Sequence, residues 1–169
     1  MNIEHVLQLI YDSATGTAIR ESTFLFPYIE CLHVLAITLV FGSILVIDLR
    51  LLGFTSRNRR ISELMNEFLP YTWGSFLFAL ISGGLLFTSH AVEFGHNPYF
   101  LLKMGLLVAA GLNMALFHRL TVPGISLWDE LPRLPISAKC AGAVSLLLWV
   151  GVIFSGRWIG FYLDQVRFG

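Results

Sequence analysis

Residues Tyr28–Asp48 read YIECLHVLAITLVFGSILVID. A helix needs about 20 predominantly apolar residues to cross the hydrocarbon core of a bilayer, and this stretch is long enough to do so. It nevertheless holds two ionisable side chains, Glu30 and His33, near its first end. The stretch therefore predicts a transmembrane helix, and its imidazole is the first candidate for a functional role.

The composition of the whole chain is that of a membrane protein. Of the 169 residues, 56% are hydrophobic and 13% are charged, and the mean hydropathy is +0.72. Soluble domains are nearer to about 45–50% apolar and about 25% charged. The chain therefore has too little polar surface for a water-soluble fold, and its length suits one compact domain.

Four windows are long and apolar enough to span a bilayer, at about residues 24–49, 71–94, 99–117 and 138–161. The strands of a β-barrel would be shorter and would alternate between apolar and polar residues. The sequence therefore predicts an all-α integral membrane protein, a four-transmembrane-helix bundle that forms a single domain over residues 1–169.

Two shorter helices are predicted outside the spans. The first is a short N-terminal interfacial helix that ends at SATGT (residues 13–17), and its apolar side chains recur at helical spacing. The second lies in the loop before Pro70, which is expected to open the second span. Their apolar residues are Ile3, Val6, Leu7 and Ile10 in the first, and Ile61, Leu64, Met65 and Phe68 in the second.

Basic residues are concentrated in the loops after the first and third spans, which hold seven of the eleven lysines and arginines. These seven are Arg50, Arg57, Arg59, Arg60, Arg119, Arg133 and Lys139. The positive-inside rule assigns both loops to the cytoplasm and both termini to the periplasm of a bacterial inner membrane. The formal net charge is zero, and the absence of a basic patch argues against a nucleic-acid partner.

Each predicted span places one basic or imidazole side chain in the same outer layer of the membrane. From the rise of a helix, His33 lies about 10 Å below the outer boundary, and His90, Lys103 and Arg157 each lie about 6 Å below it. Burying an ionisable group there costs about 2.5–3.5 kcal/mol on insertion scales. A shared depth in four helices indicates a common site.

Haem b accounts for this set of residues. Its iron takes neutral imidazole, its propionates attract cations, and its ring needs apolar walls. We therefore expect one haem b with His33 and His90 as iron ligands and with Lys103 and Arg157 neutralising the propionates. Structural roles also remain open: His33 as a helix-to-helix hydrogen bond, His90 as a solvated side chain, Lys103 as an interfacial anchor, and Arg157 as part of an aromatic belt.

Two stretches carry a resemblance to known proteins. LHVLAITLVFGSILVIDLRLLG (residues 32–53) and NPYFLLKMGLLVAAGLN (residues 97–113) resemble an uncharacterised family of small four-helix bacterial inner-membrane proteins. That family is similar in layout to the CopD membrane domain and to the HemJ-type protoporphyrinogen oxidases. The resemblance to the oxidases implies that His33 is a haem ligand and Lys103 a functional lysine. The chain lacks the more aromatic first helix and further histidines of those enzymes, which favours haem binding over porphyrinogen oxidation.

The leading hypothesis is a b-type haem protein that transfers electrons near the periplasmic face, between a periplasmic redox partner and quinone or another membrane protein, in a homodimer or larger complex. One alternative is a porphyrinogen-oxidising enzyme in which Lys103 binds or deprotonates substrate. Another is a copper-handling permease of the CopD type that uses Met104, Met114, Cys31 and histidines as copper ligands. The last is a cofactor-free structural subunit of a membrane complex.

Polar residues at the inner end of the first span are given a structural role. Asp48 and Arg50 are expected to pair with polar groups of the third span, such as Asn113. His118 lies at the same inner level. A second haem there would need two ligands, and His118 is the only one available, so a second haem is not expected.

Overall fold

The computed structural model describes residues 2–55, 58–129 and 134–168, and every regular element within them is helical. The α-helices are α1 (Ile3–Tyr11), α2 (Ala14–Glu21), α3 (Leu25–Leu52), α4 (Ile61–Ser89), α5 (Ala91–Gly95), α6 (Pro98–Leu120), α7 (Ile125–Trp128) and α8 (Ile136–Phe168), with a 3₁₀ turn at Val122–Gly124. Helices α3, α4, α6 and α8 are long and apolar enough to cross a membrane. The prediction of an all-α chain with four such helices is confirmed.

Most of the apolar surface of the four long helices faces outward. In the most apolar 18-residue window of each, only 11–22% of the residues are buried inside the chain. Leu39, Leu80, Val108 and Leu147 are 62–74% exposed. Because apolar surface is disfavoured in water by about 25 cal/mol per Å², this belt is the surface that a lipid bilayer would cover.

The four long helices form two antiparallel hairpins. Helix α3 packs along α4, α6 packs along α8, and α3 and α8 join the two pairs. Helices α4 and α6 are not among the pairs that pack closely. We call the end of the bundle where α3 begins the first end, and the end where α3 finishes the second end.

The second long helix differs from its prediction at both ends. Helix α4 begins at Ile61 and continues through Pro70, so the predicted loop helix is the first part of α4. Ile61, Leu64 and Met65 are buried there, and this packing outweighs the one helical hydrogen bond that a proline removes. At the other end α4 stops at Ser89, before the predicted residue 94, because the backbone turns at His90 (φ −137°, ψ 36°).

The start of α4 is capped by a distant residue. Its own N-cap position, Arg60, provides no side-chain cap. Instead the carboxylate of Asp129 accepts hydrogen bonds from the backbone N–H of Ile61 at 2.6 Å and of Ser62 at 3.2 Å, and from the Ser62 hydroxyl. An anion at a helix N-terminus satisfies free N–H groups and complements the helix dipole. Asp129 therefore ties the α6–α8 connection to the first turn of α4.

The N-terminal segment forms two helices, where one was predicted. Helix α1 matches the prediction, whereas α2 occupies the predicted break, because the Ser13 hydroxyl accepts from the backbone N–H of Gly16 at 3.1 Å and caps it. The Arg20 guanidinium donates to the carbonyl oxygens of Tyr11 at 2.6 Å and Ser89 at 3.2 Å. Arg20 therefore docks α1 and α2 against the end of α4.

Candidate functional site

His33 lies on α3 and faces α4. Its Nδ1 is 2.9 Å from the hydroxyl oxygen of Ser82. That oxygen also lies 2.8 Å from the carbonyl of Phe78, one turn earlier on α4. A serine hydroxyl has one hydrogen, and in a helix it is typically donated to such a carbonyl. His33 Nδ1–H is therefore the donor to Ser82, and Nε2 carries a lone pair.

A glycine on α4 allows this close approach. A Cβ atom placed on Gly83 would lie 2.8 Å from Cε1 of His33, which is closer than Cβ atoms are found. A Cβ on the next residue, Gly84, would meet nothing within 4 Å. The imidazole is therefore held by Ser82 at one nitrogen and by the bare backbone of Gly83 beside it.

These adjacent glycines provide a matched test of the His33 position. Gly83→Ala is expected to displace the imidazole and to break its bond to Ser82, whereas Gly84→Ala is expected to leave both unchanged. The measurement is the ¹⁵N chemical shift of the His33 ring nitrogens in histidine-labelled protein. The wild type should show a protonated Nδ1 and an unprotonated Nε2. Wild-type His33 shifts in Gly83→Ala would contradict this geometry.

Lys103 reaches the same layer from α6. Its side chain is half-buried, and its Nζ lies 3.5 Å from the position that a Cβ on Gly156 of α8 would occupy. An electrostatic effect of Lys103 reaches His33. The predicted lysine and the predicted imidazole therefore both lie in the first half of the bundle.

His90 lies beyond this layer, at the junction of α4 and α5. Its Nδ1 is 2.8 Å from the hydroxyl of Ser89, and its ring packs against Phe26 and Phe94 at centroid distances of 5.1 and 5.7 Å. Phe26 is seven residues before His33, so the two imidazoles are offset by about 10 Å along α3. The structure does not place His90 in the layer of His33.

Arg157 lies on α8 and points away from the interior of the bundle. Its side chain is exposed, and its guanidinium lies 5.0 Å from the ring centre of Phe161, one turn further along α8. The neighbouring Trp158 stacks on Phe154 at a centroid distance of 4.4 Å. Arg157 is therefore part of an outward aromatic belt, and the structure does not bring it to His33.

The single imidazole of His33 suits a metal cofactor in which an organic ring already supplies most of the ligands of the metal. Within the described residues there is no group of three or more His, Cys, Asp or Glu side chains that could hold a metal ion. A porphyrin supplies four nitrogens to its iron and needs one neutral imidazole from the protein. His33 offers such an imidazole, with its tautomer fixed by a hydrogen bond at the other ring nitrogen.

The predicted pairing of Asp48 and Arg50 with Asn113 is wrong. Arg50 Nε donates to the backbone carbonyl of Arg59 at 3.0 Å, and Asn113 Nδ2 donates to the carbonyl of Ala141 on α8 at 3.0 Å. Oδ2 of Asp48 is buried without a hydrogen-bond partner in the described part of the chain. Sequence reasoning missed both this orphaned oxygen and the hydrogen bond between His33 and Ser82.

Comparison with known proteins gives one match. A family model described as "Family of unknown function (DUF6644)" matches residues 21–162, which is most of the chain. No curated protein and no solved structure matches. The uncharacterised family is thus the part of the predicted resemblance that is supported, and the likeness to CopD and to the HemJ-type oxidases stays a prediction.

Proposed function

The chain belongs to DUF6644, a family of unknown function, and we propose that it is a membrane-embedded b-type haem protein that mediates electron transfer. The observation that supports this proposal is the state of His33. His33 is half-buried and its Nδ1 lies 2.9 Å from the Ser82 hydroxyl, an arrangement that would present Nε2 as the ring nitrogen that binds a haem iron. Bound haem would supply an iron that exchanges one electron between its ferrous and ferric states.

Lys103 has a separate role in the proposal. Haem propionates are anions, and a lysine in the same layer as the axial imidazole can neutralise one of them at the edge of the bundle. Gly156 leaves room for the lysine side chain between α6 and α8. His33 would therefore hold a bound haem, and Lys103 would orient it.

His90 and Arg157 are the remaining members of the predicted set. In this arrangement His33 alone would hold a bound haem, whereas recruitment of His90 would need α5 to approach the His33 layer. Arg157 would need to leave Phe161 to reach a propionate. A high-spin spectrum that does not change in His90→Ala would assign His33 alone.

Location and partners follow from the charge pattern of the loops. We place both termini in the periplasm of a bacterial inner membrane, because the basic loops follow the first and third spans. Arg57 and Arg133 of that pattern lie outside the described residues. One haem on one side cannot carry electrons across the bilayer. The partners are therefore a periplasmic redox protein or quinone, within a homodimer or a larger membrane complex.

The test is a reduced-minus-oxidised spectrum of the purified protein, with haem quantified as its pyridine complex. An α band of the b type at about one haem per chain is the expected result. A protein that contains no haem and takes up none when haemin is added would overturn the proposal. Complementation of a haem-auxotrophic strain would instead favour the oxidase, and copper retained through dialysis would favour the permease.

A further inference from the structure

A second candidate site lies in the other half of the bundle. A cleft of about 210 Å³ separates α4 from α6, and α3 and α8 form its floor. Its walls are apolar and aromatic, with Trp73 and Phe76 on α4 and Trp149 on α8. Gly111 and Met114 on α6, and Trp73 opposite them, are exposed at its mouth. Because α4 and α6 do not pack closely, the cleft opens sideways, toward the apolar surroundings of the helices.

Asp48 lines the floor of this cleft. The residue is 5% exposed, and its Oδ2 has no hydrogen-bond partner in the part of the chain that the structure describes. Ser145 is a hydrogen-bonding neighbour of the carboxyl group, but Asn113 donates to the carbonyl of Ala141. The imidazole of His118 also lines the cleft, and its Nδ1 lies 3.0 Å from the carbonyl oxygen of Met114.

An orphaned acceptor in an apolar cavity indicates the kind of ligand that fits. A buried oxygen without a hydrogen-bond donor destabilises the folded chain. A ligand that donates a hydrogen bond to this oxygen removes that cost, and the free energy of binding becomes more favourable. Among the residues that the structure describes, no lysine or arginine lines the cleft. A neutral hydroxyl is the cheaper donor, since a charged amine would lose more solvation among these apolar walls.

The volume suits a ligand with one ring. An engineered apolar cavity of about 150 Å³ is large enough for benzene, so a cleft of about 210 Å³ accommodates a single substituted ring. Aromatic walls favour an aromatic ring. We propose that this cleft binds a membrane-soluble phenol or hydroquinone, whose hydroxyl donates to Oδ2 of Asp48 and whose ring lies among Trp73, Phe76 and Trp149.

This site is separate from the haem proposal. Asp48 lies fifteen residues beyond His33 on α3, about 22 Å along the helix. Binding to the cleft requires no iron and no electron transfer. It is therefore measured on protein without haem, and a negative result at one site leaves the other unaffected.

The experiment is calorimetric titration of the full chain in lipid nanodiscs, with empty nanodiscs as the partition control. The probe is 2,3,5-trimethylphenol, and its methyl ether, 2,3,5-trimethylanisole, has the same ring without the donor. We expect saturable phenol binding, with the ether at least tenfold weaker, because the ether has no hydrogen to donate and leaves Oδ2 of Asp48 without a partner. Tighter binding of 2,3,5-trimethylhydroquinone would identify a quinol as the source of the ring.

Two variants test the cleft independently. Asp48→Leu removes the orphaned carboxyl and should weaken phenol binding at least tenfold while leaving ether binding unchanged. Gly111→Leu places a side chain in the mouth, where a Cβ meets nothing within 4 Å, and should weaken both probes. Gly105→Leu is the matched control, since Gly105 is also on α6 with open space at its Cβ but does not line the cleft.

Several results would overturn this assignment. They are no saturable phenol binding by the wild type, equal binding of the ether, wild-type affinity in Asp48→Leu, or equal losses in Gly105→Leu and Gly111→Leu. Sodium binding that depends on Asp48, in the absence of phenol binding, would assign the carboxyl to a cation instead.

Discussion

Replacing His33 by alanine is expected to abolish the reduced b-type absorption band of the purified protein. The substitution removes the Nε2 lone pair, and Ser82 and Gly83 cannot replace it as an iron ligand. Haem content, measured as the pyridine complex, should fall from about one per chain to none. Added imidazole should restore part of the band, since it can occupy the space that the side chain leaves.

His96→Ala is the control for this loss. His96 is exposed, and its Nδ1 lies 2.9 Å from the carbonyl of Val92 in its own turn. The control should retain the full band, and far-ultraviolet circular dichroism should show the same helix content in both variants. A wild-type band in His33→Ala would remove His33 from the site and with it the main support for haem binding.

Replacing Asp129 by alanine is expected to cause the largest loss of stability. Its carboxylate holds two backbone N–H groups and one hydroxyl at the start of α4, and Asp129 itself is 8% exposed. Loss of a charged cap that leaves buried donors unpaired should lower the free energy of unfolding by about 2–4 kcal/mol. The measurement is the thermal unfolding midpoint in detergent, followed by tryptophan fluorescence.

Two further variants bracket the effect of Asp129. Asp129→Asn keeps one acceptor oxygen and should lose less than Asp129→Ala. Asp12→Ala removes an exposed carboxylate that accepts from Gln8 at 3.0 Å within one helix, and it should change stability by less than about 0.5 kcal/mol. Equal midpoints for Asp129→Ala and the wild type would show that the cap contributes nothing.

The four long helices were predictable because their signal is local. A run of apolar residues is visible in any window of the sequence, and hydropathy alone locates it. The bounds of α4 were not predictable from a local window, because its first turn depends on Asp129, which lies 68 residues from Ile61. Helix α2 was missed for a similar reason, since Gly16 and Ile19 are buried only when the segment docks on the rest of the chain.

The candidate site could be predicted only in part. Counting residues from the boundaries placed Lys103 and His33 in one layer, and in the structure both lie in the first half of the bundle. The same count cannot give the rotation of a helix about its axis, which turns Arg157 toward Phe161. It cannot give the register of α3 against α4 either, and that register offsets His90 from His33.

The bond from Arg20 to Ser89 sets an order for biosynthesis. The carbonyl that receives this guanidinium is made 69 residues after the arginine itself. While the ribosome is still translating the first long hydrophobic segment, the N-terminal pair of helices lacks most of the surface on which it docks, because that surface belongs to α4 and α5. A nascent chain must therefore complete its second hydrophobic segment before α1 and α2 can dock. In a chain released earlier, these two helices would remain accessible to proteases.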